Sequence, residues 1–314
     1  MLNILLLTAP IYLLMALGYA IARGGLFDAP DFRTIGRFVV NVALPCMLFH
    51  ALARQPIAQI FDVHYLGAYA AGSLLMLLGT TAWARLRQGR TMPHSALLAM
   101  GVSSSNSAYV GYPIAVQWLG PVAGVALALS MLVENLIIIP LALVLAAQGD
   151  AEVPWRATLR RVFGQLVRTP LIVAMALGVL FSLTGLTLPD LLMRPLQMMA
   201  VVASPVSLFV IGGSLHGAKL EGQRSTMAAV MLGKLVMHPL AVALAFWLLP
   251  AVSPELRNAG LMLAAAPMLS IYPMMALRYH WEGFCAAVLL ITTLASFITA
   301  SGWLWLLKTW APGG

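Results

Sequence analysis

Charge is scarce in this chain: 10 acidic and 18 basic residues are spread over 314 positions, while 61% of the residues are hydrophobic. That balance excludes an ordinary soluble domain, where roughly a quarter of residues are charged, and leaves no room for a sizeable domain outside the membrane. Cysteine is nearly absent. Cys46 and Cys285 both fall in or beside apolar segments with unrelated surroundings, which argues against a disulfide framework or a zinc site. His50, His216 and His238 have no metal-type spacing, and there is no HExxH, no paired aspartates in an apolar run and no serine with a convincing histidine partner. An enzyme working inside a membrane would need such a constellation, so that class is disfavoured. The formal charge of +8 does not indicate nucleic acid, because the basic residues are scattered through short loops rather than gathered in one patch.

What the chain does have is apolar runs along its whole length. At ~20 residues per span, spans are expected over Asn3–Ala22, Arg33–Ala53, Tyr65–Ala84, His94–Leu119, Val122–Ala147, Pro170–Thr187, Leu191–His216, Ser225–Leu249, Ser253–Tyr279 and Phe284–Leu307. The fold class is therefore an all-α polytopic membrane protein of ten spans, embedded in the lipid bilayer. The first run has no basic leader and no small-residue cleavage site before Arg23, so a retained span is expected there rather than a signal peptide. Thirteen of the eighteen Lys and Arg residues lie in loops after odd-numbered spans. The positive-inside rule then puts both termini outside the cytoplasm and the polar, basic loop from Gln148 inside.

The most specific signal is internal repetition. Sliding the chain by 160 positions lays Pro10 on Pro170, Met15–Gly18 on Met175–Gly178, Val42–Phe49 on Val202–Phe209 and Tyr112-Pro113 on Tyr272-Pro273. Two halves result, 1–147 and 169–314, joined by a linker over 148–168. Each half holds five spans, an odd number, so the second must enter the membrane from the opposite side. Inverted repeats of this kind typify secondary transporters, whose interrupted helices mark the binding site.

Two stretches interrupt their apolar runs. SSSNSAYVGYP covers Ser103–Pro113, and AAAPMLSIYP covers Ala264–Pro273. Irregular backbone at membrane depth is tolerated only where it is buried in protein or lines a cavity. A kinked helix packed through small residues would explain one such stretch, but a matched pair points to a site. The candidate substrate residues are Ser104, Ser105, Asn106, Ser107, Tyr109, Tyr112 and Pro113 in the first, Pro267, Ser270, Tyr272 and Pro273 in the second, and Asn41. The tyrosines could serve as aromatic walls, hydroxyl donors or packing groups. Half-helix N-termini at the breaks would favour an anion such as a carboxylate, and the carbonyl ends a cation.

Glu134 and Lys234 are the formal charges near the middle of spans, where a charge costs ~2.5–3.5 kcal/mol to insert. The 160 offset pairs them with Leu294 and Leu74, so they break the symmetry of the repeat. Either Glu134 relays a coupling proton with Lys234 paired to it or to substrate, or Glu134 is a neutral hydrogen-bonding group and Lys234 snorkels. Asn135, Thr292, Thr293 and Ser296 are secondary candidates, Thr292 and Ser296 sharing a helix face. His238-Pro239 is expected to mark a helix irregularity.

NVALPCMLF at Asn41–Phe49, SNSAYVGYP at Ser105–Pro113, GKLVMHPL at Gly233–Leu240 and AAAPMLSIYP at Ala264–Pro273 together resemble the auxin efflux carrier family, which includes bacterial malonate-type transporters and plant auxin exporters. The resemblance implies a five-plus-five inverted repeat whose fourth and ninth spans are broken and cross at Pro113 and Pro273. It implies a scaffold of spans 1, 2, 6 and 7 that commonly dimerises, and a transport part of spans 3–5 and 8–10 that moves like an elevator. The substrate would be a small organic anion, malonate- or auxin-like, carried across the inner membrane with Asn106 at the crossing. The long cytoplasmic loop of the plant members is absent. No cofactor or bound metal is implied, and the coupling ion, proton or sodium, stays open.

Overall fold

Helix ends are dictated by capping groups, and helix shape by proline. The structure, a computed structural model, describes residues 2–53, 62–148, 160, 164, 168–186, 188–216, 223–249 and 252–310, with side chains from residue 9 to 309. Most of the expected linker lies outside the described residues, as do Arg54, Arg156, Arg161 and Lys219 of the charge count. The described residues form helices α1 (Leu2–Arg23), α2 (Ala29–Ala53), α3 (Val63–Leu86), α4 (Met92–Ser103), α5 (Tyr112–Leu119) and α6 (Val122–Ala147). They continue as α7 (Pro170–Thr184), α8 (Asp190–Ser214), α9 (Arg224–Leu248), α10 (Pro254–Ala264), α11 (Tyr272–Ala276) and α12 (Glu282–Trp310). Of these, α2, α3, α6, α8, α9 and α12 are long and apolar enough to cross a membrane, and α7 and the stretch Ala9–Arg23 of α1 are shorter apolar helices. Helix ends fall within about one turn of the expected spans.

Starts are capped in the usual way. Asp28 and Asp31 form a reciprocal capping box ahead of α2, and the Asp62 carboxylate accepts the His64 and Tyr65 N–H groups at the start of α3. Inside helices, proline has a consistent effect. Five-residue turns of the wide, π type occur at Val39–Ala43, Ser107–Gly111, Glu134–Ile138 and Gly233–Met237. Each ends two residues before a proline: Pro45, Pro113, Pro140 and Pro239. A proline ring clashes with the carbonyl four residues back and offers no N–H to it, and a widened turn relieves both problems. The irregularity expected at His238-Pro239 is the last of these four. The carbonyl of Leu235, which Pro239 cannot serve, instead accepts the Trp303 indole N–H at 3.0 Å.

Packing pairs α1 with α8 and α7 with α2. Glycines permit both approaches: a Cβ on Gly18 would lie 2.0 Å from the Phe209 carbonyl oxygen, and one on Gly178 would lie 3.3 Å from that of Phe49. Gly18 and Gly178, like Phe49 and Phe209, are 160 positions apart. A core of Tyr65, Tyr69, Leu127, Phe246 and Leu263 joins α3, α6, α9 and α10, and Tyr65 and Tyr69 stack with centroids 5.9 Å apart.

Gly212 sits in the tightest of these contacts, where an added Cβ would come 1.9 Å from the Met15 carbonyl oxygen. Gly212→Ala is expected to lower the melting temperature in detergent, since backbone overpacking typically costs ~1–3 kcal/mol. Gly79→Ala, in α3 with nothing within 4 Å, should be neutral or slightly stabilising.

Candidate functional site

The first break follows α4. Ser104 is extended, and helical turns resume at Ser107. The second follows α10, with regular helix resuming only at Tyr272. The two stretches touch. Ser105 and Met268 form an isolated antiparallel bridge, the Asn106 N–H donates to the Pro267 carbonyl at 2.7 Å, and Asn106 Nδ2 donates to Ser270 Oγ at 2.6 Å. This contact precedes Pro113 and Pro273, which sit in the first turn of the resumed helices α5 and α11, where a missing N–H is harmless.

Both intramembrane charges converge on the same place. Glu134 Oε1 accepts from the Tyr69 hydroxyl at 3.0 Å, the Ser105 N–H at 3.1 Å and the Ser107 hydroxyl at 3.2 Å. Lys234 Nζ donates to Ser105 Oγ at 2.6 Å and to the Ala264 carbonyl at 3.1 Å, and lies 2.8 Å from His238 Nδ1. An ammonium has only donors, so His238 Nδ1 must accept, and the ring proton falls on Nε2, 3.0 Å from Ser73 Oγ. Glu134 and Lys234 are 3% and 0% exposed, which makes full hydrogen bonding obligatory. They make no direct ion pair: among the described residues only His64 and Asp62 come within 4.0 Å. Ser105 joins them, giving its N–H to the carboxylate and its hydroxyl oxygen to the ammonium.

Local sequence explains the placement. Glu134 opens one proline-induced wide turn and Lys234 lies in another, and such turns re-aim side chains at functional sites. Helix ends then complement the charges. The carboxylate sits at the N-terminal end of the segment resuming at Ser107, and the ammonium at the last carbonyl of α10, as the helix dipole favours. The N-terminal end expected to attract substrate therefore already holds Glu134.

Asn106 also lines a cavity of about 260 Å³, together with Tyr109, Ser214, Ser270, Pro273 and Thr293. Its apolar walls include Val210 and Ile211 of α8 and Leu289 of α12. One side is thus formed by the two breaks and α12, the other by α8.

The remaining candidates lie nearby or elsewhere. Ser104 and Thr292 are buried with hydroxyls that have no partner among the described residues. Tyr272 is buried with its ring against Gly101, where a Cβ would come 2.9 Å from Cζ, so it packs. Tyr112 is half-buried in the core, and Tyr109 donates to the Gly36 carbonyl at 3.4 Å. Asn41 is exposed on α2 and donates to the Arg37 carbonyl at 2.8 Å, within its own helix. Asn135 donates to Met131, Thr293 to Leu289 and Ser296 to Thr293, all within their own helices. The sequence reading does not single out Tyr69 or Ser73, and it assigns His238 only a helix irregularity. The available signal was spacing: Tyr69 with Ser73, and Lys234 with His238, are polar pairs four apart in apolar helices, sharing a face.

Broken, touching helices around buried charges in an apolar helical chain define a membrane transporter. A family model described as membrane transport protein matches residues 4–304. The chain belongs to this family, that of the auxin efflux carriers, whose members are transporters and not enzymes. It is 26% identical over 310 residues to a Rhizobium meliloti protein named "Putative malonate transporter", covering 97% of this chain and 96% of that one. It is 24% identical to the uncharacterized transporter YfdV of Escherichia coli K12, over 94% of this chain and 95% of that one. Rice auxin efflux carrier component 3a matches at 31% over 120 residues, 37% of this chain and 19% of that protein.

Removing Glu134 takes the shared acceptor from the Tyr69 hydroxyl, the Ser105 N–H and the Ser107 hydroxyl. Glu134→Ala is expected to destabilise the protein, by ~1–3 kcal/mol for each buried donor left unsatisfied. Because Ser105 links the two, Glu134→Ala and Lys234→Ala together should cost less than the sum of the single losses, with a coupling of ~0.5–3 kcal/mol in a double-mutant cycle of detergent melting. Additive losses would mean that the two charges do not communicate.

Proposed function

We propose that this protein is a secondary active transporter that carries a small organic anion, a carboxylate of malonate- or auxin-like type, across a bacterial inner membrane by alternating access. The observation that carries the reading is the cavity at Asn106 and Ser270. It has polar donors at the meeting of the two breaks and apolar walls, and α8 closes it from another group of helices. Asn106 Nδ2 spends one proton on Ser270, leaving a second for a carboxylate oxygen.

The reading extends to ten spans in two inverted halves: six long helices, two shorter apolar ones, and the broken pairs α4/α5 and α10/α11. Support comes from the matched contacts of Gly18 with Phe209 and Gly178 with Phe49. The scaffold would be α1, α2, α7 and α8, dimerising through that part. The remaining helices would form a transport part sliding past it like an elevator, with both termini outside the cytoplasm. A binding cavity between α8 and the breaks is where such sliding would expose it alternately to either side. Coupling to protons would run through Glu134; sodium is the second reading, left open by the carbonyls of the broken helices.

Purified protein in proteoliposomes should show saturable counterflow of a carboxylate, which a channel would not. Asn106→Ala is expected to weaken substrate affinity about tenfold or more, since a hydrogen bond to a charged group contributes ~1.5–3 kcal/mol. Carboxylates that bind should also raise the melting temperature. If only amines or neutral lipids do so, the organic-anion assignment fails.

A further inference from the structure

Lys234 does more than balance a charge. Its ammonium has three N–H bonds and three acceptors: Ser105 Oγ at 2.6 Å, His238 Nδ1 at 2.8 Å and the Ala264 carbonyl at 3.1 Å. Ala264 closes α10, so its carbonyl has no successor N–H within the helix. A hydroxyl oxygen and a helix-terminal carbonyl, with a carboxylate held one residue away through Ser105, are the surroundings a small cation takes at an interrupted membrane helix. Here a nitrogen tethered to α9 fills that position, and no exposed surface remains on the side chain. The arrangement exists at one break only, because the position 160 before Lys234 is Leu74.

We propose that Lys234 is a built-in cation standing where a free coupling cation would bind, so that the protein needs no sodium, and that shortening its side chain uncovers a site for a small monovalent cation or an alkylammonium. His238 orients the ammonium: with its proton held on Nε2 toward Ser73, its Nδ1 lone pair faces Nζ. The flux part of this inference rests on the transporter reading above; the binding part does not.

The test uses the purified full chain in detergent, melted in sodium, potassium or choline chloride at equal ionic strength. The wild type should melt at the same temperature in all three. Lys234→Ala should melt several degrees lower in choline and recover at least half of that loss in sodium chloride or in propylammonium, which replaces the atoms removed. Lys234→Met keeps the stem in place and should lose stability that no cation restores. Sodium-specific stabilisation of the wild type would overturn the proposal even if neither variant folds, and so would a Lys234→Ala protein indifferent to every cation. In proteoliposomes, wild-type anion flux should be unchanged when choline replaces sodium, and a sodium requirement would overturn the proposal. Absence of flux for every anion would defeat the transporter reading, while the melting series would still decide the role of Lys234.

Discussion

A helix broken in an apolar phase frees backbone N–H and C=O groups that water cannot reach, and each must find a partner inside the protein. At the meeting of the two breaks this requirement is met largely through Ser105 and Asn106. Ser105 gives its N–H to Glu134 and its hydroxyl oxygen to Lys234, while Asn106 gives its N–H to Pro267 and its side-chain amide to Ser270. The charged residues are thus structural partners of the broken backbone before they are anything else. An N-terminal end without a carboxylate, or a carbonyl end without a cation, would leave the contact between the breaks short of hydrogen bonds where each deficit is expensive.

Proline contributes to the same end from a distance. Pro140 and Pro239 lie five or six residues beyond Glu134 and Lys234, and each forces a wide turn that contains the charged residue. An uninterrupted α-helix would rotate these side chains by a different amount along its axis. The Leu235 carbonyl that Pro239 leaves unserved is taken by Trp303, which ties α12 to the helix bearing the ammonium. A packing irregularity, a buried charge and an aromatic anchor therefore share one cause.

Much of this was legible in the residues alone. The repeat registers Pro113 with Pro273, the composition of Ser103–Ser107 marks the first break as polar, and the family resemblance points within it to Asn106. The exact contact was not legible: the breaks meet at Ser105–Asn106 and Pro267–Met268 because Pro113 and Pro273 are absorbed into the first turns of α5 and α11. Nor was the linkage of Glu134 to Lys234 through Ser105, since three separate helices and a break meet there and no spacing along one helix encodes it. Asn41 differs from these residues: its amide bonds back to the preceding turn, at the Arg37 carbonyl, as a polar residue in an apolar run can do without any ligand.

The charged network and the cavity lie on either side of one peptide step. Asn106 faces the cavity, whereas its neighbour Ser105 faces Glu134 and Lys234. One short break thus turns successive side chains to a cavity and to the fixed charges. A ligand that pulls on the Asn106 amide acts on the same peptide segment that holds both ions. The cavity-lining residue and the residue that joins the two charges are therefore adjacent in the chain.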